Sequence, residues 1–314
     1  MGRLVFLGTP AFAVPSLQRL VENGHSVEAV FTQPDRPKGR GGQLAASPVK
    51  EAARQLGLMI FQPERVRRPE VVEQLRAIHP DTMVVVGYGQ IIPQNIIDIP
   101  RLGIINVHAS LLPKYRGAAP IQWAIANGEE VTGVTTMRID AGLDTGDMLL
   151  KWRTAIGPEE NALELSPRLA QAGADLLIDT LAGLDSESIR PEPQDNNEAS
   201  LAPILKKEDG QIDWHQPART IFNRARGFLP WPGAYSRFRG KLFHLWKAKP
   251  IEESKGRSPG SVYAEENRLI AGCGYGTALE LFEVQIEGRK RMPASAFLNG
   301  QRLMDDEILG AEAN

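Results

Sequence analysis

Short runs of consecutive apolar residues alternate, through the first half of the chain, with stretches whose apolar positions return every three or four residues. LVFLG at 4–8, VEAVFT at 27–32, MVVVG at 83–87 and GIINV at 103–107 have the length and the Val/Ile content of strands covered on both faces. Between them the helical period recurs. Val14, Leu17, Leu20 and Val21 share one side of a helix that Gly24 stops. Ser47 and Pro48 form a cap followed by proline at the first helical position, Gly57 ends that helix, and another is predicted near 69–78. Repeated strand–helix units of this kind predict a mostly parallel, Rossmann-like α/β sheet. A helix over PIQWAIAN, strands near 131–139 and 148–154, and a long helix near 161–183 continue the first domain, which is expected to cover residues 1–188.

The pattern then changes. IRPEPQDNNEASLAPI at 189–204 is rich in Pro, Asn and acidic residues and has no apolar period, which predicts a surface linker over 189–206. Beyond it, one helix near 217–227 precedes short alternating segments (AYSRF, LFHLWKA, SVYAEE, RLIAGC, ALELFEV) punctuated by Gly, Pro and Asn. Several short strands at this spacing predict a small OB-like β-barrel over 207–314.

Composition narrows the picture only a little. With 36 basic and 38 acidic residues the net charge is −2, so no global excess of positive charge announces nucleic acid, although the C-terminal third is more basic than the rest. A single cysteine, Cys273, has no partner for an internal disulfide, and five scattered histidines offer no metal-ligand spacing, so no metal is expected. The opening MGRLVFLGTP is too short in its apolar part for a signal peptide, and no window approaches the ~18 apolar residues of a membrane helix. A cytoplasmic monomer that does not engage membranes is the expectation.

Chemistry concentrates in two places. INVHASLLPKYRG at 105–117 sets Asn106 and His108 two residues apart at a strand end, on one face of that strand, where open α/β sheets bind ligands. DAGLDTGD at 140–147 adds Asp144 in a glycine-rich turn, with Asp140 and Asp147 read as turn and cap residues. An amide, an imidazole and a carboxylate are the parts needed to move an acyl group to an amine: Asn106 to donate to the oxyanion, His108 to donate to the same oxygen or to the leaving nitrogen, and Asp144 to orient His108 or relay a proton. A third feature is TQPDRPKGRGGQLAASP at 32–48, a long insertion without a structural period that carries Arg36, Lys38 and Arg40 among glycines, suited to gripping phosphates. Basic and aromatic residues also mix in RARGFLPWPGAY, KLFHLWKAK and GRKRM, where Trp231 and Phe228 read as packing and Arg289, Lys290 and Arg291 as an exposed charge run.

Asn-x-His followed by SLLPKYRG, with D-x-G-L-D-T-G-D downstream, resembles the folate-dependent formyltransferases over essentially the whole chain. The resemblance implies 10-formyltetrahydrofolate as formyl donor, and Asn106, His108 and Asp144 as the catalytic set. It further implies donor contacts on the backbone around Tyr88, Gly89, Gln90, Ile91 and Ile92, near 140–144, and on the turn Ser110, Leu111, Leu112 and Pro113. TQPDRPxGRG is the form of the 32–48 insertion in the branch of that family that acts on initiator methionyl-tRNA. Arg36, Lys38 and Arg40 are therefore implied contacts to the acceptor stem, with Arg289, Lys290 and Arg291 on a tRNA-binding C-terminal barrel. A sugar-nucleotide amine would fit the same catalytic set, though so small an acceptor has no need of the insertion. A glycinamide ribonucleotide acceptor would leave the second domain without a task, and an RNA-binding protein would not need an intact Asn–His–Asp set. No G-x-G-x-x-G, P-loop or G-x-S-x-G is present, which argues against dinucleotide, ATP and acyl-enzyme chemistry.

Overall fold

The strands expected from continuous apolar runs are the centre of the first sheet. In β1 (Arg3–Gly8), β6 (Thr82–Val86) and β7 (Ile104–His108) nearly every residue is buried, as strands covered on both faces require. A computed structural model of the chain describes residues 2–38, 43–251, 253–304 and 307–310, and these form two compact units. The first comprises residues 1–120, 131–155 and 165–203; the second comprises 121–130, 156–164 and 204–314.

In the first unit β2 (Ser26–Phe31), β5 (Ile60–Phe61), β8 (Val131–Arg138) and β9 (Met148–Ala155) complete a seven-stranded sheet of order β5-β2-β1-β6-β7-β8-β9. The pairs from β5 through β7 are parallel, whereas β8 and β9 run antiparallel to their neighbours. The chain leaves β1 in one direction for β2 and β5, then returns to β6 on the other side. The topological switch therefore lies between β1 and β6, where such sheets bind ligands beyond the strand ends.

Helices follow their sequence signals. For α1 (Val14–Glu22), Gly24 turns the chain at φ +75°. Helix α2 (Pro48–Gln55) starts on Ser47, whose hydroxyl accepts from the Lys50 amide, and Gly57 (φ +68°) follows its end. Helix α3 (Pro69–Ile78) buries Val71, Val72 and Leu75 against Val5, Leu7, Met83 and Ile104. A long helix spanning Ala162–Asp185 comes close to the sheet at Gly173, where a Cβ would lie 2.8 Å from Val107 and 3.3 Å from Val134.

The 32–48 insertion is not wholly structureless. Its arms form a short hairpin, β3 (Arg36–Lys38) on β4 (Gln43–Ala45), whose base is clamped. Thr32 and Ser47 share a hydroxyl hydrogen bond, and Lys50 and Gln62 reach Asp35 at 2.6 and 2.7 Å, holding its carboxyl below the usual range. Arg40 lies outside the described residues.

In the second unit β10 (Ala234–Phe238), β11 (Lys241–Ile251), β12 (Val262–Glu265), β13 (Arg268–Gly272), β14 (Ala278–Ile286) and β15 (Met292–Pro293) make an antiparallel sheet of order β10-β11-β14-β13-β12, with β15 on β14. Residues 307–310 tie its edges together: Val262 donates to Glu307 O, Leu309 to Gly260 O, and Gly310 to Arg237 O on β10. That segment gives the sheet its barrel-like closure around Phe238, Phe243, Leu279, Leu281 and Phe297. Phe228 is fully buried, edge-on to Trp123, as packing predicts; Trp231 is 54% exposed and is not core.

Candidate active site

Period-two alternation puts Asn106 and His108 on one face of β7, and both are buried. Asp144 reaches them by an indirect route. Its loop leaves β8 beside the start of β7, where Ile139 donates to Ile104 O, and then folds back along the strand. Asp144 itself is left-handed at φ +51°, an uncommon conformation for a residue with a side chain. Its Oδ1 accepts from Asn106 Nδ2 at 3.3 Å and its Oδ2 from the Gly117 amide at 2.8 Å. The same Oδ2 stands 3.6 Å from His108 Nδ1, with the imidazole 6% and the carboxylate 19% exposed.

The other side of the imidazole is also held. His108 Nε2 donates to the Tyr115 carbonyl at 2.9 Å; a carbonyl only accepts, so Nε2 carries the hydrogen and Nδ1 is the nitrogen turned to Asp144. Tyr115 is left-handed too, at φ +63°. Both ring nitrogens thus face protein groups, and Asn106 is the member of the set with an amide hydrogen still to offer.

The turn after β7 is built by β8. Thr135 donates its hydroxyl to Ser110 O at 2.7 Å and accepts from the Leu112 amide at 3.1 Å, while the Ser110 hydroxyl is spent on Lys114 O at 2.6 Å. Ser110, Leu112 and Pro113 are buried and Leu111 is half-buried, and the Leu112–Pro113 peptide is cis. Of the side chains in this turn, that of Leu111 keeps the most exposed surface. At the switch point, Thr9 donates to Tyr88 O at 3.0 Å and joins the loops after β1 and β6. The Tyr88 ring is buried and its hydroxyl, which has no partner among the described residues, is pushed well above the usual range by burial, so Tyr88 faces the core. Gln90 turns its side chain to the Val66 amide at 2.6 Å. What stays open is Gly89, at φ +81° with only Gln33 near a would-be Cβ at 3.9 Å, and Ile91, 89% exposed.

Among the basic candidates, Arg36 is exposed on β3, its guanidinium 3.5 Å from Gln33 Oε1, and Lys38 lies on the same strand. Arg289 and Lys290 are exposed; Arg291 is paired with Glu283 and lies over Trp246 at 5.0 Å, so its charge is already engaged. Among the described residues no group of three or more His, Cys, Asp or Glu could hold a metal, and no helix is long and apolar enough to cross a membrane.

The supports of this set carry no motif in the sequence. Arg116 is buried, with Nε on Gln194 Oε1 at 3.0 Å and Nη1 on Asn196 Oδ1 at 2.9 Å. Gln194 Nε2 in turn donates to Asp144 O and Gly146 O at 2.9 and 2.7 Å. Gly117 was the one available signal: at φ +121°, with a would-be Cβ 2.7 Å from Ala202 O, it must be glycine.

Comparison with known proteins places this arrangement. Residues 2–181 match the formyl transferase family model and residues 204–302 the formyl transferase C-terminal domain. The chain belongs to the formyl transferase family. Among curated formyl transferases it is 66% identical to the methionyl-tRNA formyltransferase of Solibacter usitatus, over 98% of both chains. It is 59% identical to the enzyme of the same name from Koribacter versatilis, again over 98% of both. Solved structures share the fold: the N-formyltransferase of Helicobacter canadensis, in complex with folinic acid and dTDP-3-aminofucose, matches with TM-score 0.67 and 18% identity over 90% of this chain and 99% of that one. HypX of Aquifex aeolicus, in complex with tetrahydrofolic acid, matches with TM-score 0.63 and 20% identity; 95% of this chain spans 47% of HypX, about half its length.

Proposed function

We propose that the chain transfers the formyl group of 10-formyltetrahydrofolate to the α-amino group of methionine esterified to tRNA, and that Asn106, His108 and Asp144 carry the reaction. The observation that carries this is 66% identity over nearly the full length to a methionyl-tRNA formyltransferase, together with an Asp144 carboxylate that accepts from Asn106 at 3.3 Å and stands 3.6 Å from His108 Nδ1.

Attack of the neutral amine on the formyl carbon places negative charge on the former carbonyl oxygen. Asn106 offers its second amide hydrogen there, its first being on Asp144; a preorganised donor of this kind is worth about 3–4 kcal/mol. Asp144, fixed by Asn106 and the Gly117 amide, takes the proton shed by the amine through a water and passes it to His108 Nδ1, which leaves the carboxylate ionised beside the imidazolium. With Nε2 pinned to Tyr115, His108 works through Nδ1, the nitrogen that returns the proton to the departing nitrogen of the donor.

A flat, hydrogen-bonding ring system suits the loops beside this set. Gly89 and Ile91 are exposed and Gln90 is half-buried, and Ile91 and Leu143 (61% exposed) present apolar surface. The donor is therefore assigned to the backbone at 88–91 and to the turn at 110–113. Phosphates of the initiator tRNA fall to Arg36, Lys38 and Arg40 of the hairpin insertion and to Arg289, Lys290 and, after release from Glu283, Arg291. Residues 1–188 are taken as the catalytic part and 207–314 as the tRNA-binding part, joined by 189–206, in a cytoplasmic monomer.

Acceptor identity is tested by competition. With 10-formyltetrahydrofolate as donor, methionyl-tRNA and a dTDP-amino sugar are offered together. Formylmethionyl-tRNA is the expected product, and formylation of the sugar alone overturns the proposal.

A further inference from the structure

Asp144 has to be carried back along β7 and held left-handed to meet Asn106 and His108; within its own loop Asp140 accepts from Gly142 N at 3.0 Å and Thr145 Oγ1 at 2.8 Å, and the Asp144 carbonyl is held from elsewhere. The holding group comes from fifty residues further on. Gln194 uses three of its hydrogen-bonding positions on the site: both Nε2 hydrogens on the carbonyls of Asp144 and Gly146, at 2.9 and 2.7 Å, and Oε1 on Arg116 Nε at 3.0 Å. Arg116 lies between Tyr115, whose carbonyl holds His108, and Gly117, whose amide holds Asp144. The surrounding segment grips the same loop: Tyr115 N donates to Ser200 Oγ, Arg116 N to Ser200 O, and Ala202 N to Arg116 O. One amide therefore spans the two loops that orient the carboxylate and the imidazole.

We propose that Gln194 is a positioning residue for formyl transfer, setting the approach of Asp144 to His108 without touching substrate. The inference rests on the catalytic assignment above. Its physical basis is that two donors on carbonyls two residues apart fix the Asp144–Thr145 and Gly146–Asp147 peptide planes, and so the way the chain leaves the left-handed turn at Asp144. Asn196 supplies an internal contrast. It holds Arg116 from the same segment at 2.9 Å, and among the described residues its side chain makes no hydrogen bond to the Asp144 loop.

The test compares Gln194→Met, which keeps length and removes every hydrogen bond, with Gln194→Glu, which keeps the acceptor for Arg116 and removes both donors. Asn196→Ala serves as the control. Formylation of methionyl-tRNA is measured under saturation with each substrate, alongside hydrogen exchange. Both Gln194 variants are expected to lose roughly 20-fold or more in kcat, with KM for both substrates within about threefold of wild type. Asn196→Ala is expected to stay within about threefold in kcat. Faster amide exchange in Gln194→Met should be confined to 115–117 and 140–147, the two loops that Gln194 joins. Wild-type kcat in Gln194→Glu, equal losses in Gln194→Met and Asn196→Ala, or exchange protection lost across the whole sheet overturns the inference alone. A wild-type protein that does not formylate methionyl-tRNA overturns the parent assignment and this inference with it.

Discussion

Replacing Asp144 by asparagine changes almost nothing in shape and removes one charge, so its effect can be worked from the geometry. The carboxylate stands 3.6 Å from His108 Nδ1. At an effective dielectric of about 20, a full charge pair at that separation is worth about 4–5 kcal/mol. Asp144 is 19% exposed, and solvent reduces the figure to about 3 kcal/mol. The substitution also sets two donors against one another. If the new carbonyl keeps the Gly117 amide, the new Nδ2 faces Asn106 Nδ2, which now lacks its acceptor and is pushed from the position where it would meet the oxyanion. Adding about 1 kcal/mol for that conflict, kcat should fall roughly 10²–10³-fold. KM for methionyl-tRNA should hold, because the residues proposed above to bind its phosphates are left intact. The assay is initial-rate formylation at saturating donor, with thermal melting to show that folding is intact. A folded Asp144→Asn protein with kcat within threefold of wild type would refute the reasoning.

Three further outcomes follow from other parts of the molecule. His25 is buried with Nε2 lacking a partner, and burial lowers its pKa, so the folded state resists a proton that the unfolded chain accepts near pH 6.5. Stability is then complete above about pH 6.5 and declines as pH falls below it, by at most about 1.4 kcal/mol per unit. His25→Leu should flatten urea-unfolding stability between pH 5 and 7, relative to wild type, and an unchanged slope would count against the assignment. Gly146→Ala would bring a Cβ to 2.0 Å from Arg138 O, forcing the 140–147 loop to shift and lowering kcat roughly tenfold or more; wild-type kcat would show that the loop tolerates the shift. Arg36→Ala should raise KM for methionyl-tRNA, leave that for the donor unchanged, and reduce the slope of log affinity against log salt by roughly one. An unaltered slope would remove Arg36 from phosphate binding.

Much of this architecture is legible in the chain because it is local. Continuous Val/Ile runs mark β6 and β7, Ser47-Pro48 marks the start of α2, and the Asn-x-His spacing fixes one face of a strand. Legibility ends where long-range hydrogen bonds decide. The hairpin at 36–45 is short and contains Pro37, so no alternating pattern betrays it, and its clamp depends on Lys50 and Gln62. Tyr88 and Gln90 fall in the right loop, yet their side chains serve the core and the Val66 turn, which position along the chain does not disclose. Arg291 reads as a free charge until Glu283 and Trp246 are seen beside it. Gln194 lies in an aperiodic polar stretch that reads as a connector, and its partners at 116, 144 and 146 have no local signature. The closure of the second sheet by 307–310 is likewise a matter of backbone groups alone.

The central claim, that Asn106, His108 and Asp144 transfer formyl from a folate carrier to methionyl-tRNA, is tested most directly with a labelled formyl group. Wild-type and His108→Ala proteins are each incubated with 10-formyltetrahydrofolate labelled on the formyl carbon and with methionyl-tRNA, and label is counted in the aminoacyl-tRNA. Wild type is expected to give stoichiometric label in formylmethionyl-tRNA, and His108→Ala a rate at least about 10²-fold lower at unchanged tRNA affinity. No label in the tRNA with wild-type protein, or equal rates from the two proteins, would contradict the claim.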